Sequence, residues 1–302
     1  MKQSAKQLLK SAVKKVYHRS SPPVETRAEE PVPPFECSWE WLRPAFAKVN
    51  RQVQRPSYTW GVLQGVSVAR ALGHRRVSVL EFGVAGGCGL VKLEQIAEAA
   101  EGLTGVEIDV YGFDTGCGLP KPQDYRDMPF LWRQGDFAMD LPRLRERLRR
   151  AHLQIGLVEK TVPDFVATKF APVCFVSIDL DFYTGTYHAL KLLEAEPDRL
   201  LPRIPFYFDD IMGGIGGGCS EFTGERLAIK EFNDTHPMRK ISTQPGLKFL
   251  VPPEEKEQQW VEMMYFAHLF DHPEYSEDVR GHGMNIDVDG HAMRIDAPAG
   301  CR

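Results

Sequence analysis

The sequence predicts a doubly wound α/β domain on a mostly parallel sheet, and three observations predict it. From residue 76 onward, apolar strand-like runs alternate with helical segments. Runs such as "PVCFVSI" are apolar throughout, as strands covered on both faces are. Glycines and carboxylates gather where the runs end, the rim at which open α/β sheets bind ligands.

The elements follow in order. Residues 5–17 place Leu8, Leu9, Ala12, Val13 and Val16 on one helical face among lysines. A solvated basic helix is the favoured reading there; a weak contact of residues 1–20 with an anionic membrane surface is the alternative. The proline-rich stretch "SSPPVETRAEEPVPPFE" reads as a linker. The expected division is a basic N-terminal helix and linker over 1–34, and an α/β domain with an irregular C-terminal extension over 35–302. Within the domain, "RVSVLEFGVAGG" is a strand entering a glycine turn, and "LVKLEQIAEAAEG" is a helix closed by Gly102. "VEIDVYGFDTG" is a strand, "LPRLRERLRRA" a helix, "LQIGLVEKTV" a strand and "DFVATKF" a short helix. "PVCFVSIDLDF" and "IPFYFDDI" are strands, followed by the helices "TGTYHALKLLEAE" and "RLAIKEFNDT". In the tail, Asn285, Asp287, Asp289, Gly290 and Asp296 imitate a calcium loop, but Asp289-Gly290 fits a hairpin turn better.

Composition narrows the function. The 302 residues are 43% hydrophobic and 26% charged, ordinary for a globular chain. Six basic residues and no acid fall in the first 20 positions, so a total of −4 leaves −10 on the other 282. That excludes a global basic field for nucleic acid. No apolar run reaches the roughly 18 residues of a bilayer span, and the N-terminus lacks a secretory apolar core. Six cysteines without a CxxC pair read as reduced thiols in a cytoplasmic protein, peripheral to a membrane at most. A homo-oligomer is compatible with all of this.

The first strand-to-helix turn, "VLEFGVAGGCG", cannot supply the dinucleotide pattern Gly-x-Gly-x-x-Gly, because Ala85 and Lys92 interrupt it. It resembles instead the first motif of class I S-adenosylmethionine-dependent methyltransferases, Asp/Glu-x-Gly-x-Gly-x-Gly. Glu81, Phe82, Gly83, Ala85, Gly86 and Gly87 stand at those positions, with Ala85 replacing the middle glycine. A carboxylate there attracts the cofactor's ammonium group, and small residues accept its body. Asp114, ending the second strand, is placed for ribose hydroxyls; an Asx-turn before Gly116 is the plainer account. Gly135, Asp136 and Phe137 in "WRQGDFAMD" are placed to flank an adenine ring, although a capped loop reads the same.

Asp179 and Asp181 close one strand; Asp209 and Asp210 close the next. Residues two apart on an extended chain point the same way. Like charges at one rim call for a cation, and oxygen-only ligands suit a hard divalent ion such as Mg²⁺. Asp179 and Asp181 are the catalytic candidates, Asp181 as general base. Helix capping by Asp181 and a turn at Asp210 are the plainer alternatives.

"IDLDFYTGTYHAL", "YFDDI", "GERLAIKEF" and "GFDTGCGLP" together resemble the macrocin O-methyltransferase family over residues 77–232. That resemblance implies metal ligation by Asp179, Asp209 and Asp210, a base at Asp181, and methyl transfer to a sugar hydroxyl of a small molecule. The chain departs from the family at Leu180, at Gly185 and in the longer glycine-rich "IMGGIGGGCSEFTGE", which could serve as a lid. A metal-dependent hydrolase or phosphotransferase, and a non-catalytic cofactor-binding domain, are the rival functions. Tyr58 and Trp60 read as core, and His188 as a helix-surface residue. Cys88 and Cys117 flank the glycine turn without basic neighbours, and His268, His272, His282 and His291 have no zinc-like spacing.

Overall fold

The computed structural model describes residues 31–213, 217–286 and 292–295. The expected basic helix, the calcium-loop positions Asp287, Asp289, Gly290 and Asp296, and part of the glycine-rich loop lie outside the described residues.

The chain enters through α1 (Trp39–Val53), capped by Ser38, whose Oγ accepts from Trp41 N at 3.4 Å. Its face of Trp41, Leu42, Ala45, Phe46, Val49 and Val53 is buried at helical spacing. The next helix, α2 (Pro56–Ala71), starts on Pro56 and is buried almost all round, packed against the sheet. The alternation then runs β1 (Arg76–Phe82), α3 (Cys88–Thr104), β2 (Glu107–Asp114), α4 (Leu141–Arg147), β3 (His152–Ile155), α5 (Val158–Val166) and β4 (Val173–Ile178). It continues with α6 (Tyr183–Leu190), β5 (Arg203–Phe208), α7 (Gly224–Thr235), β6 (Arg239–Thr243), α8 (Leu247–Leu250) and β7 (Met264–Leu269). A separate hairpin pairs β8 (Gly283–Ile286) with β9 (Ala292–Ile295).

The sheet order is β3-β2-β1-β4-β5-β7-β6. β7 alone runs opposite to the other six strands, so the doubly wound, mostly parallel α/β fold is the one observed. The order reverses between β1 and β4, and the carboxyl ends of strands at such a switch point are where open α/β sheets bind ligands. Every residue of β4 is buried, as is β1 after Arg76, which is why these strands are apolar without alternation. No described helix is long and apolar enough to cross a membrane.

Three readings are corrected. "LQIGLVEKTV" is not one strand: β3 stops at Ile155 and Val158–Val166 is helical. The buried positions Val158, Thr161, Val162 and Phe165 carry the 3.6-residue period that decides this. The helix after Asp181 ends at Leu190 and tightens into a 3₁₀ turn over Lys191–Glu194. The irregular tail supplies β7, a full member of the sheet wedged between β5 and β6.

Candidate active site

The glycine turn closes β1 against β4. Asp179 N donates to Phe82 O at 2.9 Å, and a Cβ on Gly83 would stand 1.8 Å from the Asp179 carbonyl oxygen. Gly83 also has φ 88°, so only glycine serves there. Ala85, at the motif's glycine position, is held at φ 45°, a left-handed conformation costing an L-residue about 1–2 kcal/mol. Asp114 fixes that turn. Its Oδ2 accepts from Val84 N at 3.0 Å and Ala85 N at 2.9 Å, and its Oδ1 accepts from Gly116 N at 2.6 Å. The Asx-turn is therefore present, and the same carboxylate orients the glycine turn. Gly86 faces open space, and Gly87 begins α3.

Glu81 is 2% exposed. Its Oε1 accepts from the Tyr58 hydroxyl at 2.7 Å, and that hydroxyl accepts from Ser177 Oγ at 2.8 Å. A Cβ on Gly89 would fall 1.9 Å from the same Oε1. Oε2 is buried with no partner among the described residues. Burial pushes the carboxyl up to about 7, opposed by the Tyr58 hydrogen bond and the Arg55 charge. An orphaned buried carboxylate oxygen is what a cationic amino group would complete, so the residues fit such a cofactor. Tyr58 is fully buried, as a core residue is, yet it also grips this acid; Trp60 is core alone. Gly135 and Phe137 both have positive φ, and Asp136 Oδ2 accepts from Arg133 N within the loop at 3.2 Å. Phe137 is half-exposed, edge-on to Trp132, and presents free ring surface.

Past β4 and β5 the acids separate. Oxygens of Asp179, Asp181 and Asp210 all lie within 4.8 Å of one another. Asp181 has φ 60°, and its N donates to Asp210 Oδ2 at 3.0 Å. Asp209 is not in that group; it accepts from the Tyr207 hydroxyl. Both strands end just before these acids, at Ile178 and Phe208, so the arrangement is set by the left-handed turn at Asp181 and the 3₁₀ turn over Asp209–Ile211. Burial first, and repulsion from the neighbouring carboxylates second, with Asp209 foremost on Asp179 and Glu225 also acting on Asp179 and Asp181, push Asp179, Asp181 and Asp210 well above the usual carboxylate range. Three carboxylates with only oxygen to offer fit a hard divalent ion.

Several residues of the site carry no role in the sequence reading. Glu225, fully buried at the start of α7, accepts from Leu180 N at 3.4 Å and Asp210 N at 3.2 Å, tying the two acid loops together. In sequence it looks like an ordinary first-turn acid. Asp127, also fully buried, accepts from Gln123 N, Thr184 N and Thr184 Oγ1, so it supplies the α6 cap weighed for Asp181. The Arg55 guanidinium stands 4.4 Å above the Tyr58 ring. The turn weighed for Asp210 is real, a 3₁₀ turn over Asp209–Ile211.

Other candidates fall elsewhere. His188 lies 3.9 Å from Glu159 on the helix surface. His268 meets the Tyr275 hydroxyl, and His272 bonds the Pro197 and Leu200 carbonyls. Cys88 and Cys117 are exposed and unbonded to each other. A cleft of about 410 Å³ lined by Arg145, Arg149, Arg150 and His152 opens at the amino end of β3, the opposite end of the strand from the ligand rim.

No family model and no curated protein matches the chain. Solved structures do. The O-methyltransferase NovP is 15% identical with a TM-score of 0.49, over 70% of this chain and 79% of that one. The calicheamicin methyltransferase CalS11 is 19% identical with a TM-score of 0.45, over 76% of this chain and 96% of that one. The methyltransferase MycE, in complex with Mg, SAH and mycinamycin VI, is 12% identical with a TM-score of 0.40, over 75% of this chain and 54% of that one.

Proposed function

We propose that the protein is an S-adenosylmethionine-dependent O-methyltransferase, assisted by a hard divalent ion such as Mg²⁺, acting on a hydroxyl of a sugar or glycosylated small molecule. The observation that carries this reading is the pairing of two unlike sites across one switch point. On β1 and β2 stand an orphaned buried carboxylate oxygen and a glycine turn; on β4 and β5 stand three converging carboxylates. The sequence resemblance supports a sugar hydroxyl as acceptor. Bound there, the cofactor would supply the methyl group and the ion would lower the pKa of the acceptor hydroxyl.

The chain's own residues would do the rest. Glu81 would hold the cofactor's ammonium and Asp114 its ribose hydroxyls, while Gly83, Ala85, Gly86 and Gly87 leave room for its body. Phe137 would stack on the base beside Gly135 and Asp136. Asp179 and Asp210 would carry the ion, with Asp209 as the third ligand the resemblance implies if it leaves Tyr207. Asp181, within 4.8 Å of the other two acids, would take the acceptor's proton.

Calorimetric titration of S-adenosylhomocysteine, with and without Mg²⁺, tests this reading beside an Asp114→Ala variant. Micromolar binding, lost in the variant, is expected. Folded wild-type protein that binds in neither buffer would remove the methyltransferase reading.

A further inference from the structure

A second cluster of charge lies away from the acids, at the amino end of β3. Between Asp140 and Glu159 the chain has five arginines, Arg143, Arg145, Arg147, Arg149 and Arg150, and one acid, Glu146. That stretch carries +4, so a total of −4 leaves −8 on the rest of the chain. Arg145, Arg149 and Arg150 line one cleft of about 410 Å³, with Leu148 and Leu153 among its walls. The turn bearing two of these arginines is held from behind. Buried Glu94 accepts on Oε1 from Arg149 N at 3.0 Å, Arg150 N at 2.7 Å and Ala151 N at 2.6 Å. The Arg150 guanidinium is engaged as well, with both oxygens of Glu101 and the Ile108 carbonyl. The side chains of Arg145 and Arg149 are exposed and meet no acceptor among the described residues. β3 pairs with β2 alone and forms the sheet edge, so no described strand covers the cleft.

Two unpaired cations in one cleft repel each other, and an anion between them removes that repulsion. Each guanidinium is a planar fork that fits a phosphate through two parallel N–H bonds. We propose that this cleft is a binding site for a small molecule bearing a diphosphate, held by the forks of Arg145 and Arg149. The volume falls in the range of small-molecule sites, about 300–1,000 Å³, and exceeds what one phosphate needs. Leu148 and Leu153 offer an apolar surface to an organic part of the ligand. The clamp by Glu94 fixes the turn before the ligand arrives, which lowers the ordering cost of binding. The acidic remainder of the chain repels a long polyanion such as nucleic acid, whereas a ligand confined to the cleft is screened from it. The cleft lies at the opposite end of β3 from the ligand rim, so the inference stands apart from the methyl transfer proposed above.

The test titrates inorganic pyrophosphate and uridine diphosphate calorimetrically into the full chain, without divalent ions. An ionic strength of about 0.15 M screens exposed charges more than about 8 Å apart. Wild type is compared with two double variants that remove the same charge: Arg145→Gln with Arg149→Gln in the cleft, and Arg143→Gln with Arg147→Gln outside its lining. Thermal unfolding of each protein checks its fold. Binding of at least one probe at a single site is expected. The cleft pair should weaken it roughly thirtyfold, through the loss of two charge-assisted contacts, and the outer pair by no more than about twofold. Arg145→Lys with Arg149→Lys should recover part of the loss, keeping the charge without the forks. Tighter binding of uridine diphosphate would assign the leucines to its nucleoside; tighter pyrophosphate would make the ligand inorganic. Equal weakening by the two pairs would overturn the site and leave the arginines as a general basic surface. Wild type that binds neither probe would overturn it outright.

Discussion

On the β1–β2 side of the switch point the protein answers most of its own carboxylates; on the β4–β5 side it leaves them facing one another. Asp114 collects three backbone N–H groups, and Glu81 has Tyr58 on one oxygen. Among the described residues, Asp179, Asp181 and Asp210 share one backbone donor, Asp181 N, and otherwise crowd together. The first side has one buried carboxylate oxygen, Glu81 Oε2, without a partner among the described residues. The second is electrostatically incomplete, because desolvated like charges either bind protons or bind a cation. The comparison teaches that the two sides should respond to different additions: the first to an organic cation, the second to a metal ion.

The sharpest way to break the contrast is on the incomplete side. Asp181→Asn should lower methyl transfer about 10²–10⁴-fold, the usual worth of a positioned base. Affinity for S-adenosylhomocysteine should not change; turnover on a panel of sugar hydroxyls, beside calorimetry, separates the two. Loss of cofactor binding in this variant would mean that the sides are not independent.

Glu81 gives the next effect, and its sign is fixed by the direction of its shift. Its carboxyl rises from 4.5 to about 7 in the folded chain. The folded state therefore holds a proton that the unfolded state releases. The stability this contributes is complete below 4.5 and lost as pH rises to about 7, about 3 kcal/mol in all. Urea unfolding at stepped pH should show a shallower loss of stability in Glu81→Gln than in wild type, the remainder belonging to the raised carboxyls Asp179, Asp181 and Asp210. An equal slope in the two proteins would mean that Glu81 contributes none of it.

Metal should act on the other side alone. Mg²⁺ at one hundred times its dissociation constant should stabilise wild type by about 2.7 kcal/mol. Asp210→Asn should gain little, and Glu81→Gln should gain as much as wild type. Denaturant midpoints with and without chelator measure this. The smallest effect belongs to the strap between the sides. Thr184→Ala removes the 3.0 Å bond from Thr184 Oγ1 to Asp127 and should cost about 1 kcal/mol. Differential scanning calorimetry would detect it; an unchanged midpoint would mean that the remaining bond from Thr184 N suffices.

What could be read from the sequence followed from how local its causes are. The glycine turn, Glu81 and Asp114 were legible because a strand end, a tight turn and an acid recur within a few residues. Asp179 and Asp181 were legible as acids at a strand end, but what brings them together is a left-handed turn at Asp181, and what parts Asp209 from Asp210 is a 3₁₀ turn; no strand period announces either. Helix α2 was hidden because it is buried all round and shows no apolar stripe, and Arg55 was hidden with it. Glu225 and Asp127 act through backbone donors far along the chain, at Leu180, Asp210 and Thr184. No local pattern announces such partners. β7 escaped because it lies antiparallel in an otherwise parallel sheet, outside the alternation that revealed the rest.

The central claim is that a divalent ion belongs to the β4–β5 acids while the cofactor belongs to the glycine turn. Mn²⁺ binding, followed by electron paramagnetic resonance with S-adenosylhomocysteine present and absent, tests it most directly. The account predicts a single site in wild type, abolished in Asp210→Asn and retained in Glu81→Gln. Folded protein that binds S-adenosylhomocysteine yet takes up no Mn²⁺ would contradict it.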